Sequence, residues 1–255
     1  MAGIRLEPWR PGPGRVPPGT RVYAVGDIHG RADLLGRILD AVRAEAAAAP
    51  GLRHILVPLG DYVDRGPDSA QVVACLADLD LPGVEVRCLR GNHEDFLLEF
   101  LVSPLTALAW LVNGGARTLE SYGVEAPELL DFPAVTESAS RLGAVLPAHH
   151  RDFLARLPAS LRIGDYLFVH AGIRPGVALD RQSAKDMLWI GDAFVRSEAD
   201  HGAVIVHGHT ISPEVAFRPN RIGIDTGAFA SDRLTCLMIE ADHVCVMATD
   251  PQSEA

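Results

Sequence analysis

The first hundred residues contain three short apolar segments, each leading into a glycine and a polar side chain. The segments are predicted strands at 21–25, 54–59 and 84–89, and the motifs that follow them read GDIHG, GDYVDRG and GNHE. Apolar residues at helical spacing over 32–48 and 69–79 predict amphipathic helices between the strands. Alternating strand and helix is typical of an α/β fold with a parallel sheet. Because parallel strands end at one edge of a sheet, the three motifs should lie close together.

The rest of the chain predicts one domain with an insertion. Residues 1–20, rich in proline and glycine, predict an irregular lead-in to a single domain over 21–250. A helical insertion is predicted at about 103–157, where helical segments flank a weakly patterned stretch at 123–146; these segments are 94–112, 115–122 and 147–157. Later apolar segments predict short strands at 161–164, 166–169, 203–207, 221–225, 234–240 and 243–248.

Composition and charge exclude several classes of protein. Apolar residues make up 48% of the chain, which is enough to bury a core and too many for a disordered chain. The formal net charge of −10 argues against a nucleic-acid partner, which would need a basic surface. No apolar run approaches the ~18–20 residues of a membrane span, and Met1–Trp9 lacks the apolar region of a signal peptide. The four cysteines show no CxxC spacing, so we expect reduced thiols and a cytoplasmic location.

Carboxylate, imidazole and amide side chains recur at the predicted strand ends and form a set of candidate metal ligands. Two later motifs, HAG at 170–172 and GHT at 208–210, each place a histidine after a short apolar strand. Mixed oxygen and nitrogen ligands suit Mn²⁺, Fe²⁺ or Zn²⁺, whereas Ca²⁺ prefers oxygen alone. The candidates are too many for one ion and could hold two: Asp27, His29, Asp61, Asn92, His170 and His209. A pair of cations ~3.5–4 Å apart is a recurrent means of hydrolysing phosphate esters.

On the motifs GDIHG, GDYVDRG, GNHE, HAG and GHT, the chain resembles the phosphoprotein phosphatase family, and within it the bacterial and phage-type serine/threonine phosphatases. That family is part of the calcineurin-like metallophosphoesterase superfamily, and the resemblance covers about 21–240. It implies an α/β fold of two packed mixed β-sheets flanked by helices, in α-β-β-α order. It also implies hydrolysis of phosphomonoesters, above all phosphoserine and phosphothreonine in proteins, by direct attack of a metal-bound hydroxide. We therefore expect a monomer that acts on phosphorylated proteins or peptides and binds two divalent ions, Mn²⁺ before Fe or Zn.

The resemblance also assigns the metal ligands. Asp27 and His29 would bind the first metal ion, and Asp61 would bridge the two ions. The second ion would be bound by Asn92, His170 and His209.

The same resemblance places the catalytic groups beside the metal ligands. His93 would be the general acid that protonates the leaving oxygen, and Asp64 would orient its ring. A serine or threonine alkoxide leaves poorly, so a positioned acid should contribute ~10²–10⁴-fold. Arg65 would grip the substrate phosphate with its planar fork of donors, assisted by Asn92.

One position departs from the family pattern. Bacterial relatives usually carry a second phosphate-binding arginine after the segment that here reads Leu188-Trp189-Ile190, and this chain has Gly191 there. Another arginine could compensate, and Arg174 is preferred because it follows His170 by four residues; the other candidates are Arg117 and Arg196.

Two other functions stay open. Related family members hydrolyse dinucleoside polyphosphates of the Ap4A type, but they usually carry Gln where this chain has His29, which favours the phosphomonoesterase. The chain could also be an inactive metal-binding regulatory module. The His93–Asp64 pair argues against that, because a binding module needs no proton donor.

Several residues near the motifs have an ordinary structural interpretation. His207 is interpreted as structural, and Trp110 and Trp189 as packing residues. The sequence Asn-Gly-Gly at 113–115 could be a helix end or, as in similar bacterial phosphatases, part of the substrate mouth.

Overall fold

Two β-sheets packed face to face, with helices on the outside, make up the fold that a computed structural model describes for residues 3–250. The strands in chain order are β1 (Ile4–Leu6), β2 (Arg10–Pro11), β3 (Thr20–Val25), β4 (Arg53–Pro58), β5 (Val84–Val86), β6 (Ser160–Ile163), β7 (Tyr166–Val169), β8 (Val204–His207), β9 (Ala216–Arg218), β10 (Arg221–Gly223), β11 (Thr235–Glu240) and β12 (His243–Thr249). The larger sheet has the order β1-β12-β11-β3-β4-β5, with β2 also on β12, and the smaller has the order β6-β7-β8-β10-β9. The expected arrangement of two mixed sheets flanked by helices is confirmed.

The helices connect the strands and cover the sheets. In chain order they are α1 (Ala32–Ala48), α2 (Ser69–Ala77), α3 (Asn92–Val102), α4 (Leu108–Trp110), a π-helical turn (Leu111–Gly115), α5 (Ala116–Ser121), α6 (Phe132–Val145), α7 (Ala148–Arg156), a 3-10 turn (Leu179–Arg181), α8 (Ala184–Trp189), α9 (Asp192–Val195) and α10 (Ala228–Ser231). None of these helices, within residues 3–250, has the length and apolar character needed to cross a bilayer.

Strand β3 shows why the first motif follows an uninterrupted apolar segment. Val22 and Ala24 belong to the apolar cluster between the sheets, where Phe168 of the second sheet also lies. Tyr23 and Val25 point the other way, into the cluster beneath the helices. All these side chains are fully buried. A strand covered on both faces needs apolar residues at every position, not only at alternate ones.

Parallel strands bring the polar motifs to the same region of the molecule. β3, β4 and β5 run parallel in the larger sheet, and β7, β8 and β10 run parallel in the smaller one. The motif GDIHG follows β3, GDYVDRG follows β4, HAG follows β7 and GHT follows β8. The carboxyl ends of these strands therefore carry the candidate ligands, where an open α/β sheet binds its ligands.

The lead-in over residues 1–20 is not irregular throughout. β1 and β2 both pair antiparallel with β12, with Ile4 opposite Thr249 and Arg10 opposite Val244. The proline and glycine content predicted an irregular segment. The edge of β12, however, provides backbone hydrogen-bond partners that hold β1 and β2 in an extended conformation. Pro11 is compatible with that pairing because β2 is a short strand at the sheet edge.

The weakly patterned stretch 123–146 contains helix α6, which the sequence did not predict. Asp131 caps this helix by accepting a hydrogen bond from the Ala134 backbone N–H at 3.0 Å. Val135, Ala139 and Leu142 form its buried face. Small residues lie between the large apolar ones on this face. The helical spacing of apolar residues is therefore weak in the sequence, although the helix is regular.

Candidate metal centre

Asp61 lies at the centre of the converging motifs, directly after β4. Its Oδ2 is 3.5 Å from His29 Nε2, and its Oδ1 is 3.3 Å from His170 Nε2. Two groups of possible metal-binding atoms share Asp61, and within each group the atoms lie within 4.8 Å of one another; the groups are His29 with Asp61 and His93, and Asp61 with His170 and His209. One carboxylate thus faces a histidine on either side, which is the geometry of a bridging ligand.

Asn92, at the start of α3, completes the second group. Its Oδ1 is 2.8 Å from His170 Nε2 and 3.0 Å from His209 Nδ1, and the two ring nitrogens are 3.2 Å apart. Three atoms that can each donate a lone pair therefore converge on one point. His170 and His209 follow β7 and β8, whereas Asn92 begins α3, because β5 ends at Val86 and not at residue 89 as the sequence predicted.

Asp27, directly after β3, is buried and lies between two other acidic groups. Its two carboxylate oxygens accept hydrogen bonds from the backbone N–H of His209, at 3.1 and 3.0 Å. Burial raises the pKa of Asp27 well above its usual range, and the negative charges of Asp225 and Asp61 raise it further. Buried carboxylates so close together need a positive charge nearby to be stable. A bound cation would supply that charge.

The histidines are prepared as neutral ligands. His29 Nδ1 is 2.9 Å from the Val63 carbonyl, and His170 Nδ1 is 3.2 Å from the Leu59 carbonyl. Each carbonyl fixes the proton on Nδ1 and leaves the lone pair on Nε2, the nitrogen that faces Asp61. Burial lowers the pKa of both rings well below the usual value, and repulsion from the protonated forms of neighbouring histidines, together with Arg65 for His29, lowers it further. Neutral imidazole is the form that binds metal.

His29 Nε2 provides a direct test of whether this donor set fits a cation. The atom is buried and has no hydrogen-bond partner among the described residues. A buried polar atom without a partner is costly, and a divalent ion between His29 and Asp61 would satisfy it. Carboxylate, imidazole and amide ligands fit borderline divalent ions, so the residues present fit the metals that the sequence implied.

His93 and Asp64 form a buried pair beside the ligand groups. His93 Nδ1 donates to Asp64 Oδ2 at 2.5 Å, while His93 Nε2 lies 3.8 Å from Asp61 Oδ2 and 3.4 Å from Arg65 Nη2. Burial lowers the pKa of His93, but the charge of Asp61 and the hydrogen bond and charge of Asp64 outweigh it, so the pKa is raised. The ring can therefore hold a proton on the nitrogen that faces the ligands.

Arg65 is half-buried, and its guanidinium makes no ion pair among residues 3–250; its Nη2 lies 3.4 Å from His93 Nε2. Its guanidinium carbon lies 4.8 Å from the centre of the Phe229 ring, and that ring also meets the edge of His29, with centroids 5.5 Å apart. Phe229 therefore supports the arginine from an apolar face and leaves its donors available to an anion.

The loops that carry these groups have unusual backbone conformations. Seven non-glycine residues among those described have positive φ, and five of them belong to the site: His29 (45°), Asp61 (53°), Asp64 (74°), Arg65 (66°) and His209 (62°). Residues other than glycine avoid the region of positive φ, and such conformations cost about 1–3 kcal/mol each. Their concentration here indicates that the surrounding packing holds the ligands in positions that the loops alone would not adopt.

The structure does not support a substitute for the arginine missing at Gly191. Arg174 makes a bidentate ion pair with Asp186, at 2.6 and 3.0 Å, so its fork is already occupied at the surface. The other two candidates are likewise exposed and paired with acidic neighbours: Arg117 with Glu120 at 2.9 Å and Arg196 with Asp192 at 2.8 Å. Arg174 thus pairs with a carboxylate on α8 in this structure, and its assignment to the substrate phosphate stays a prediction.

Several residues at the site were missed by sequence reasoning. Glu94, in the GNHE motif, accepts three backbone hydrogen bonds from the loops around it. Asp225 lies two residues after β10, whereas the sequence predicted a strand over 221–225 that would have included it. Trp110 is buried as predicted, yet its Nε1–H donates to Asp64 at 2.8 Å, and Thr118 also donates to Asp64, at 2.6 Å.

His207 agrees with its structural interpretation. It is buried, its Nδ1 is 3.0 Å from the Gly208 carbonyl, and its ring meets Phe194 with centroids 5.1 Å apart. Burial lowers its pKa to about 4. His207 is absent from both groups of possible metal-binding atoms in the described chain.

The fold and the paired ligand groups define a metal-dependent phosphoesterase, and comparison with known proteins agrees. The profile of the family described as calcineurin-like phosphoesterase matches residues 20–246, so the chain belongs to that family. Members of this family use divalent metal ions. The resemblance to phosphoprotein phosphatases within this superfamily is thus confirmed.

Relatives of the chain carry names that refer to different substrates. Serine/threonine-protein phosphatase 1 of Salmonella typhimurium (strain LT2) is 38% identical over 94 residues, which is 37% of this chain and only 38% of that protein. Bis(5'-nucleosyl)-tetraphosphatase PrpE [asymmetrical] of Anoxybacillus flavithermus is 27% identical over 89% of this chain and 94% of its own. A solved structure described as a candidate diadenosine tetraphosphatase aligns with a TM-score of 0.62 at 22% identity, covering 94% of this chain and all of that one. The last likeness supports the fold alone.

Proposed function

We propose that this chain is a protein phosphatase that hydrolyses phosphoserine and phosphothreonine with the help of two divalent cations. The observation that carries the proposal is Asp61, whose two oxygens face His29 at 3.5 Å and His170 at 3.3 Å. A shared carboxylate between two sets of ligands suits a pair of cations, and such a pair suits phosphate esters.

In this proposal the chain holds the cations with side chains from five loops. Asp27 and His29 hold the first cation, Asp61 is shared, and the second is held by Asn92, His170 and His209. When bound, the cations lower the pKa of water and neutralise charge on the phosphoryl oxygens. Mn²⁺ is the proposed ion, and Fe and Zn are the alternatives that the same ligands accept.

Arg65 and Asn92 then orient the phosphate. Arg65 makes no ion pair in the described part of the chain, and its guanidinium, 3.4 Å from His93 Nε2, can take two phosphate oxygens. Two divalent ions and Arg65 together exceed the charge of Asp27, Asp61 and Asp225, so the site is locally positive although the chain carries −10 overall. Local charge decides binding at contact distance, because solvent screens the distant surface charges.

His93 supplies the proton that the leaving oxygen needs. Asp64 binds the ring through Nδ1, so the proton on Nε2 faces the ligand groups and Arg65, where the phosphate would lie. A serine or threonine oxygen leaves as a poor alkoxide unless it is protonated, and a positioned acid contributes ~10²–10⁴-fold. This need for an acid favours an enzyme over a binding module.

A dinucleoside polyphosphate hydrolase is the second candidate, because the Anoxybacillus relative with that name covers nearly the whole chain. We favour the phosphatase because the first motif carries His29, where such hydrolases usually carry Gln. The proposed substrates are phosphorylated proteins or peptides, and we propose a monomeric, cytoplasmic enzyme.

The test compares substrates and metals on one preparation. Metal-free protein is reconstituted with Mn²⁺, Fe²⁺ or Zn²⁺ and assayed on a phosphoserine peptide, diadenosine tetraphosphate and p-nitrophenyl phosphate. Faster cleavage of the peptide than of the nucleotide is expected, and the reverse order would establish the second candidate instead. No turnover of any substrate with any metal would identify an inactive metal-binding module.

Variants separate the ligands from the acid in the same assay. Asp61→Asn should lose bound metal together with activity, because it weakens the shared ligand. His93→Ala and Asp64→Asn should keep their metal and lose ~10²–10⁴ in kcat on the phosphoserine peptide, as expected for removal of an acid. Retention of both metal ions by Asp61→Asn would show that the bridging assignment is wrong.

A further inference from the structure

We propose that residues 110–118, here called the 110–118 segment, position the Asp64–His93 pair for proton donation, with Trp110 and Thr118 as its positioning residues. The inference rests on the proposed function, in which His93 is the general acid. It gives the helical insertion, for which the sequence suggested no role, a direct connection to the chemistry.

The carboxylate of Asp64 has three hydrogen-bond donors and no exposed surface. His93 Nδ1 and Trp110 Nε1 donate to Oδ2, at 2.5 and 2.8 Å, and Thr118 Oγ1 donates to Oδ1 at 2.6 Å. Two of the three donors therefore belong to the 110–118 segment. Together they fix both oxygens of Asp64, and so they fix the plane in which the carboxylate meets the His93 ring.

The same segment also fastens the backbone beneath the pair. Asp64 and Arg65 are consecutive residues with φ of 74° and 66°. This left-handed conformation is sterically unfavourable for any residue that has a Cβ. The Asp64 backbone N–H donates to Thr118 Oγ1 and Ser69 Oγ, each at 2.9 Å, and the Arg65 N–H donates to the Gly114 carbonyl at 3.3 Å. The Thr118 hydroxyl thus accepts from the backbone N–H of Asp64 and donates to the side chain of Asp64.

The two glycines make this close approach possible. Gly114 has a φ of 110°, and a Cβ there would lie 2.7 Å from the Arg65 nitrogen. A Cβ on Gly115 would overlap the Trp110 indole. The two glycines of Asn-Gly-Gly are therefore explained by their packing against Arg65 and Trp110, while a place for this sequence at the substrate mouth stays a prediction.

Trp110 is itself rigid, as a positioning residue should be. Its ring has no exposed surface and packs on Phe100 with centroids 4.7 Å apart. A buried indole N–H needs an acceptor, and Asp64 is its acceptor. Without that donor, or without the Thr118 hydroxyl, the carboxylate can rotate and the His93 ring loses its fixed orientation.

The leaving group distinguishes this role from a structural one. An alkoxide from phosphoserine needs the proton of His93, whereas p-nitrophenolate is stable as an anion near neutral pH and needs none. A loss of metal, of phosphate binding or of folding would lower both activities. Loss of acid orientation lowers only the first.

The experiment measures kcat and KM for a phosphoserine peptide and p-nitrophenyl phosphate with the Mn²⁺-loaded protein. Trp110→Phe removes only the N–H, Thr118→Val removes the hydroxyl at nearly constant volume, and Thr118→Ser retains the hydroxyl. Trp9→Phe, at an exposed position, is the control for tryptophan replacement. We expect Trp110→Phe and Thr118→Val to lower kcat on the peptide about 10-fold while kcat on p-nitrophenyl phosphate changes less than about 3-fold.

The conservative variant Thr118→Ser tests whether the hydroxyl group is what matters. Thr118→Ser should recover most of the peptide activity that Thr118→Val loses, with unchanged metal content throughout. If Trp110→Phe does not fold, the Thr118 pair decides the matter alone. Equal losses on the two substrates, or no loss on either, would overturn the inference.

His93→Ala separates failure of the inference from failure of the proposed function. If His93→Ala shows the preference for p-nitrophenyl phosphate and the Trp110 and Thr118 variants do not, the 110–118 segment has no positioning role. If His93→Ala itself loses both activities equally, His93 is not the acid, and the inference falls with the proposed function.

Discussion

Glu94 connects the loop after β4 to the start of α3, and its removal should destabilise the protein even without metal. Its side chain has no exposed surface. Oε2 accepts the backbone N–H groups of Asp61 at 2.9 Å and Gly91 at 2.7 Å, and Oε1 accepts that of Tyr62 at 2.7 Å. The substitution Glu94→Ala removes the acceptor for all three.

The magnitude follows from these three contacts. Each buried N–H left without a partner costs about 1–3 kcal/mol, so Glu94→Ala should cost at least about 3 kcal/mol. That is a large part of the ~5–15 kcal/mol by which proteins of this kind are stable. For a chain of this size, a loss of about 3 kcal/mol lowers Tm by roughly 6–12 °C. Glu94→Gln keeps one acceptor oxygen and should fall between Glu94→Ala and the unaltered protein.

The assay is thermal unfolding of the metal-free protein, followed by circular dichroism, so that metal loss does not contribute. Asp95→Ala, the next residue on the same helix and partly exposed, is the matched control and should change stability by less than about 0.5 kcal/mol. A Glu94→Ala protein that melts within about 2 °C of the Asp95→Ala protein would refute the reasoning, because the three bonds would then contribute nothing net.

Other contacts give further expectations. Phe229→Leu removes the aromatic face beneath Arg65, worth about 0.5–2 kcal/mol, and should raise KM for phosphopeptide about 2–30-fold with little change in kcat. Gly208→Ala places a Cβ that overlaps Asp27 Oδ1, so metal analysis should show a lowered content. Burial lowers the pKa of His150, so its unfolded form binds protons more strongly and stability falls as pH drops below about 6.5; His150→Gln should reduce that fall in Tm.

Each of these has a result that would contradict it. An unchanged KM in Phe229→Leu would show that Arg65 needs no aromatic support. Gly36→Ala, at an open helical position, is the control for Gly208→Ala, and equal metal contents in the two proteins would exclude displacement of Asp27. For His150→Gln, an acid-induced drop in Tm as large as that of the unaltered protein would assign the effect to other groups.

The sequence predicted the parallel strands and the loops that carry the ligands because both depend on local pattern. Helix α1 was predicted with its observed bounds, since a clear apolar stripe precedes a proline and a glycine. Asp27, Asp61 and His170 each follow a buried strand, and sheet geometry alone brings strand ends together. The family resemblance then distinguished His209 from His207, a choice that spacing alone did not make.

Contacts between distant side chains were not predictable in this way. Trp110 and Thr118 lie 46 and 54 residues from Asp64, and no local pattern reports that they meet it. Arg174 was predicted from its distance along the chain to His170, whereas its partner is Asp186, on a helix whose orientation the sequence did not give. The N-terminal strands were missed for the same reason, because the partner that orders them is the other end of the chain.

The position of β1 and β2 on β12 has a consequence for the behaviour of shortened forms of the chain. β12 is seven residues long, and six of them are buried. Uncovered, it would present a long apolar strand with free backbone groups, which is a template for pairing with another chain. β1 and β2 thus shield the edge of β12 from self-association, and a protein that starts after Pro11 would be prone to aggregate although its candidate metal ligands are complete.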